Sequence, residues 1–179
     1  MIYLFLADGF EECEALAPLD ILRRAEIEVK TVGIGKKYIK GSHGIEVTAD
    51  ITENEVALNE ALKGIILPGG MPGTLNLEKS QTVQNAIDFA AEKGLLISAI
   101  CAAPSVLGHK GLLKTKKATC FTGFEDDLFG AEVLSQPVVR DGNIITAYGA
   151  GAAFPFGFEI LSYLTSIDTA EKLKKQMRY

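Results

Sequence analysis

Short apolar runs alternate with amphipathic stretches along nearly the whole chain. Ile2–Ala7 is a continuous apolar run ended by Asp8-Gly9, the pattern of a strand buried on both faces. From Glu11 to Ala25 the spacing turns helical, with Leu16, Leu19, Ile21 and Leu22 on the inner face. Val29–Val32 is the next strand, stopped by Gly33 and Gly35. Tyr38–Lys40 and Ile45–Thr48 form a short excursion that turns between Gly41 and Gly44. Ile65–Leu67 is another buried strand, cut by Pro68-Gly69-Gly70. Gln81–Lys93 is a helix that turns Val83, Ala86, Ile87, Phe89 and Ala90 inward, with Gly94 as its stop. Leu95–Ile100 is a strand, after which an apolar helical pattern runs through Val106 and Leu107. Val138–Arg140 and Ile144–Ala147 flank Asp141-Gly142-Asn143, a hairpin signal. Phe154–Leu164 is a hydrophobic helix and Thr169–Met177 a polar one.

Strands separated by helices are βαβ units, and these build a parallel sheet covered on both faces. The expected class is α/β. With no linker, repeat or low-complexity stretch, residues 1–179 read as one domain. Ligands of such sheets bind beyond the carboxyl ends of the strands. Three loops leave that edge: Asp8 to Glu14, Pro68 to Gly73, and Cys101 to Pro104.

Cys101 carries the strongest chemical signal. An apolar strand runs straight into it, and Pro104 follows where a first helical turn tolerates proline's missing N–H. The chain must turn sharply there, which presents the thiol in the manner of a nucleophile elbow. A helix N-terminus beside it is expected to ease thiolate formation. Most free cysteines are small buried hydrophobes, and only the strand-to-turn position sets this one apart. Glu11, Glu12 and Glu14 enter the opening turn of the first helix. Charge that complements the helix dipole accounts for Glu11 and Glu12. Glu14 lies deeper, where a partly buried carboxyl is pushed toward its protonated form and can donate a hydrogen bond to sulfur. The Gly69-Gly70 turn can aim backbone N–H groups at an anion and, with the Ala102 N–H, form an oxyanion hole. On its own it is a tight turn.

There are two histidines, His43 and His109. His109 falls two helical turns beyond Cys101, out of reach of its sulfur, and His43 sits in the Gly41-to-Gly44 turn. Without an adjacent imidazole, a proteolytic or amidotransferase mechanism lacks its base. Gly149-Ala150-Gly151 follows a strand and precedes a helix, but Phe154 stands at the third glycine position of a dinucleotide fingerprint. The segment reads as a close-packing turn.

The chain is 47% hydrophobic and 23% charged with a net charge of −5. That allows a sizeable core and shows no basic footprint for nucleic acid. Lys172, Lys174, Lys175 and Arg178 fit the solvated face of the last helix. Nothing reads as a signal peptide or a membrane span. Cys13, Cys101 and Cys120 cannot all pair within one chain and match no zinc spacing. A reduced, cytoplasmic protein without a metal is the expectation.

Several segments, taken in order, resemble the ThiJ/PfpI superfamily, and within it the Parkinsonism-associated deglycase (DJ-one) branch. They are Gly9-Phe10-Glu11-Glu12-Cys13-Glu14, Asp20-Ile21-Leu22-Arg23-Arg24-Ala25, Leu67-Pro68-Gly69-Gly70, Ala99-Ile100-Cys101-Ala102-Ala103-Pro104 and Gly149-Ala150-Gly151. The likeness runs nearly end to end. It implies a flavodoxin-like sandwich, usually a homodimer, working without a cofactor. It also implies that Cys101 is a reactive nucleophile, that a protonated Glu14 hydrogen-bonds its sulfur, and that the N–H groups of Gly70 and Ala102 form the anion pocket. Gly69, Phe121, His43 and Gly149 are the further pocket candidates, and Cys13 lies toward the interface. The chain departs from its relatives in three places. Ala102 stands where the protease-like branch has a histidine, Phe121 where the deglycase branch often has one, and His43 where an arginine is common.

The implied function is an enzyme of reactive carbonyls, of glyoxalase III or deglycase type. It would take a small carbonyl such as methylglyoxal, or a glycated compound, with no nucleic-acid or membrane partner. An oxidative-stress sensor or redox-regulated chaperone is the alternative, because donors that stabilise an oxyanion also stabilise a sulfinate. A flavodoxin-like binding module comes third, since neither a P-loop nor a dinucleotide pattern is present.

Overall fold

A computed structural model describes residues 1–179. In chain order the elements are β1 (Ile2–Leu6), α1 (Glu12–Arg24), β2 (Val29–Gly33), β3 (Tyr38–Lys40), β4 (Glu46–Thr48), β5 (Ile51–Thr52) and β6 (Gly64–Leu67). Then come α2 (Gly73–Lys79), α3 (Gln81–Glu92), β7 (Leu96–Ile100), α4 (Pro104–His109), β8 (Lys117–Ala118) and β9 (Glu132–Val133). The chain ends with β10 (Val138–Asp141), β11 (Ile144–Ala147), α5 (Ala153–Leu164) and α6 (Ile167–Met177). Helix α2 and strands β5, β8 and β9 are absent from the hydrophobic pattern. The strands are two residues long, and α2 starts inside a Pro/Gly-rich run that reads as loop.

Seven strands form one sheet in the order β10-β11-β7-β6-β1-β2-β5. Every neighbouring pair is parallel except β10 with β11. The α/β expectation holds, in its flavodoxin-like form. Alternation along β1 divides the core in two. Ile2, Leu4 and Leu6 pack with Ile21 and Leu22 of α1 and Phe156 and Leu161 of α5. Tyr3, Phe5 and Ala7 pack on the other face with Val83, Ile87 and Ala90 of α3 and Val106 of α4. Each such aliphatic side chain contributes about 1.5–3 kcal/mol by leaving water. That explains why apolar runs without alternation form the central strands.

The chain adds β2 to one side of β1 and then crosses to add β6 on the other. The reversal opens a crevice above the carboxyl ends of β1 and β6, where ligands of open α/β sheets bind. The loops after β1, β6 and β7 all end there. Outside the sheet, β3 and β4 form the expected antiparallel hairpin. It is held to the loop after β1, where Gly9 N–H donates to Lys40 C=O at 2.8 Å and Ser42 N–H to Phe10 C=O at 2.8 Å.

Candidate active site

Cys101 follows β7 directly and has φ +66°. A left-handed backbone costs a non-glycine residue about 1–3 kcal/mol and persists only where its surroundings hold it. Here its N–H donates to Ala147 C=O of β11 at 2.8 Å, and its C=O accepts from Phe121 N–H at 2.8 Å. Two neighbouring segments thus fix the turn, and the side chain is left partly accessible.

Glu14 sits in the first turn of α1 and is 1% exposed. Helical side chains lean toward the N-terminus, which carries this carboxyl back over the sheet edge. Gly69 N–H donates to its Oε2 at 2.9 Å, and the Cys101 side chain hydrogen-bonds it as well. Gly69 is glycine for a steric reason. A Cβ there would stand 2.6 Å from Cys101 Cβ and 2.7 Å from Glu14 Oε2. Gly70, at φ +87°, turns its N–H toward the sulfur, and the Ala102 N–H does the same. A Cβ on Gly70 would meet Glu11 N at 2.4 Å.

Burial pushes the Glu14 carboxyl up to about 7, against the pull of the Cys101 and Gly69 hydrogen bonds. Burial, followed by the charge of Glu14, pushes the Cys101 thiol up to about 12, against the Gly70 and Ala102 N–H groups. This corrects the expectation that a helix dipole eases thiolate formation. Helix α4 has only six residues and begins at Pro104, beyond the turn that holds the thiol. An ionised carboxylate beside the sulfur outweighs the two backbone donors. The groups are therefore one unit, which loses its first proton near 7 and holds the second to about 12. Within the singly charged pair, moving the remaining proton from sulfur to carboxyl turns Glu14 from a repelling charge into a donor. The thiolate is then faced by three donors: Glu14, Gly70 and Ala102.

Phe121 and Gly149 border this pair. A Cβ on Gly149 would lie 3.2 Å from the Phe121 ring and 4.0 Å from Glu14 Oε1, so the expected close-packing turn packs against the site. His43 does not join it. Its Nδ1 meets Glu12 Oε2 at 3.1 Å and Glu11 Oε2 at 3.4 Å on the exposed hairpin. His109 pairs with Glu78 and Asp127. Cys13 is exposed on α1.

Glu12 exceeds its helix-start reading. It is 4% exposed, and its carboxylate accepts from His43 N–H at 2.9 Å and Ile45 N–H at 3.3 Å, anchoring the β3–β4 hairpin to α1. No local signal announces this, because the partners lie 31 and 33 positions away. Glu11, Glu12 and His43 are the one group whose potential metal-ligating atoms converge, within 4.8 Å of one another.

Comparison with known proteins places these features in a family. Residues 1–163 match the model of the DJ-1/PfpI family. Protein dj-1beta of Drosophila melanogaster is 33% identical over 175 residues, covering 96% of this chain and 93% of that protein. Deglycase PfpI of Pyrococcus furiosus is 31% identical, with coverage of 92% and 99%. The structure of oxidized Toxoplasma gondii DJ-1 superposes with a TM-score of 0.94 at 31% identity, over 99% of this chain and 97% of that one. No helix is long and apolar enough to cross a membrane.

Proposed function

The chain belongs to the DJ-1/PfpI family, and on that premise we propose that it is a cysteine-dependent, cofactor-independent enzyme of reactive carbonyls. In this reading it converts a 2-oxoaldehyde such as methylglyoxal to the 2-hydroxy acid. The observation that carries the proposal is the buried Glu14 carboxyl hydrogen-bonded to the Cys101 side chain, with the Gly70 and Ala102 N–H groups turned toward the sulfur. That arrangement supplies a nucleophile and a proton carrier at the same atom pair.

Cys101 thiolate adds to the aldehyde carbon while Glu14 gives its proton to the carbonyl oxygen, forming a hemithioacetal. The N–H groups of Gly70 and Ala102 offset the negative charge during addition. Glu14, now a carboxylate, takes the proton from the same carbon, leaving an enediolate. The hydroxyl proton passes between the two oxygens, and Glu14 returns its own to the neighbouring carbon. The product is a 2-hydroxy thioester, which water hydrolyses to the acid and free thiol. Oxidation of the aldehyde carbon is matched by reduction of the ketone carbon, so one water is consumed and no external oxidant is needed. On a glycated substrate the same sulfur attack would expel an amine or thiol, the activity for which the Pyrococcus relative is named.

A second reading is supported by the oxidized Toxoplasma relative. The three donors that face a thiolate would equally hold a sulfinate, making Cys101 a redox sensor. Glu14→Gln separates the two. Loss of a proton carrier is expected to lower turnover by about 10²-fold or more, while peroxide still converts Cys101 to sulfinate, as read by intact mass. Unchanged turnover in this variant would remove Glu14 from the mechanism. The family premise also supports a homodimer, which sedimentation velocity checks.

A further inference from the structure

An open cavity of about 440 Å³ that the steps above do not use adjoins the site at Phe121 and Gly149. Phe121, Val133, Leu134 and Tyr148 supply its apolar lining. Two residues tie it to the reacting pair. Phe121 donates its N–H to Cys101 C=O at 2.8 Å. Gly149 lines the cavity and stands against both the Phe121 ring and Glu14. Phe121 is 50% exposed, Val133 40% and Tyr148 39%, so apolar surface is left uncovered in this cavity. Surface of that kind marks where a ligand buries apolar area. The space suffices, since an apolar cavity of about 150 Å³ already holds a benzene ring. Glu125 lines the same cavity, and its charge, with that of Asp127, adds to burial in pushing up the Cys120 thiol in the wall. That charge disfavours phosphorylated or carboxylated substituents.

We propose that this cavity seats the substituent of the carbonyl substrate, and that Phe121 makes the enzyme favour neutral aryl or bulky alkyl 2-oxoaldehydes over methylglyoxal. The inference rests on the carbonyl reading above and names the substrate class within it. A histidine at position 121 would offer the cavity a polar edge, whereas phenylalanine offers a ring face for stacking.

The test is kcat/KM for phenylglyoxal and methylglyoxal in wild type, Phe121→Ala and Val133→Asp. Both substituted side chains are exposed, so the fold should tolerate the changes. Wild type is expected to prefer phenylglyoxal by about tenfold or more, and each variant to lose most of that preference through a rise in the phenylglyoxal KM larger than that for methylglyoxal. Equal constants in wild type, or parallel losses on both substrates, would overturn the proposal. Absence of turnover with either aldehyde would defeat the carbonyl reading separately. The cavity is then read by alkylation of Cys101, comparing phenacyl bromide with iodoacetamide by intact mass. A ratio that falls about fivefold or more in Phe121→Ala supports the aromatic seat, and an unchanged ratio refutes it.

Discussion

At the scale of single residues, Glu14 and Cys101 are expected to titrate together. Burial holds the carboxyl near 7, and burial together with that carboxylate holds the thiol high. The alkylation rate of Cys101 is therefore expected to rise with a midpoint near 7, where the pair loses its first proton. Iodoacetamide labelling between about pH 5 and 9, followed by intact mass, measures it. A midpoint at about 8.5, the value of an unperturbed cysteine, would show that the two groups do not share a proton. Gly69→Ala is a second residue-scale test. Its methyl group would collide with both Cys101 and Glu14, and overpacking of this kind costs about 1–3 kcal/mol in urea unfolding. An unchanged midpoint and stability would mean the loop can move aside. Cys101 was legible in the sequence because an apolar strand runs into a Pro-marked helix start. Its titration was not, because the causes are burial and a carboxylate 87 positions away in the chain, both set by the tertiary fold.

Among the elements, the loops after β1, β6 and β7 meet because parallel strands place all their carboxyl ends on one edge. The buried apolar runs predict that meeting directly. The β3–β4 hairpin shows where pattern reading stops. Its two strands were legible, but its attachment to α1 through Glu12 was not, because a charge at a helix start looks the same whether solvated or buried. Glu12→Ala is expected to cost about 2 kcal/mol in urea unfolding, since the backbone N–H groups of His43 and Ile45 lose their acceptor. A loss below about 0.5 kcal/mol would show that water replaces the carboxylate and that the hairpin is not anchored there. Helix α2 escaped detection for a simpler reason. It starts at a glycine next to a proline and is seven residues long, too short to show a helical repeat.

For the whole molecule, a mainly parallel sheet covered on both faces was readable from apolar runs separated by helical spacing, whereas the strand order was not, because pairing partners lie far apart in the chain. Cavities were not readable either, because a space has no sequence pattern; the one lined by Phe121 joins residues from 119 to 151. The buried carboxyl also marks global stability. Glu14 ionises near 7 when folded, against an ordinary value of 4.5, so between those values the folded state holds a proton that the unfolded chain has lost. Its stabilising contribution is complete below about 4.5 and is lost as pH rises through 7. The gap amounts to roughly 3 kcal/mol. Glu14→Gln, which cannot ionise, should gain stability relative to wild type by an amount of that order between about pH 4 and 8. Parallel pH profiles in urea unfolding would contradict this burial cost. Cysteine-dependent carbonyl chemistry is decided by one assay. Methylglyoxal is supplied to wild type and Cys101→Ser in buffer free of glutathione and metal, and lactate is measured stereospecifically. Lactate formed by wild type alone is the predicted result. Equal lactate from both proteins, or none from reduced wild type, would contradict a cysteine-dependent carbonyl enzyme.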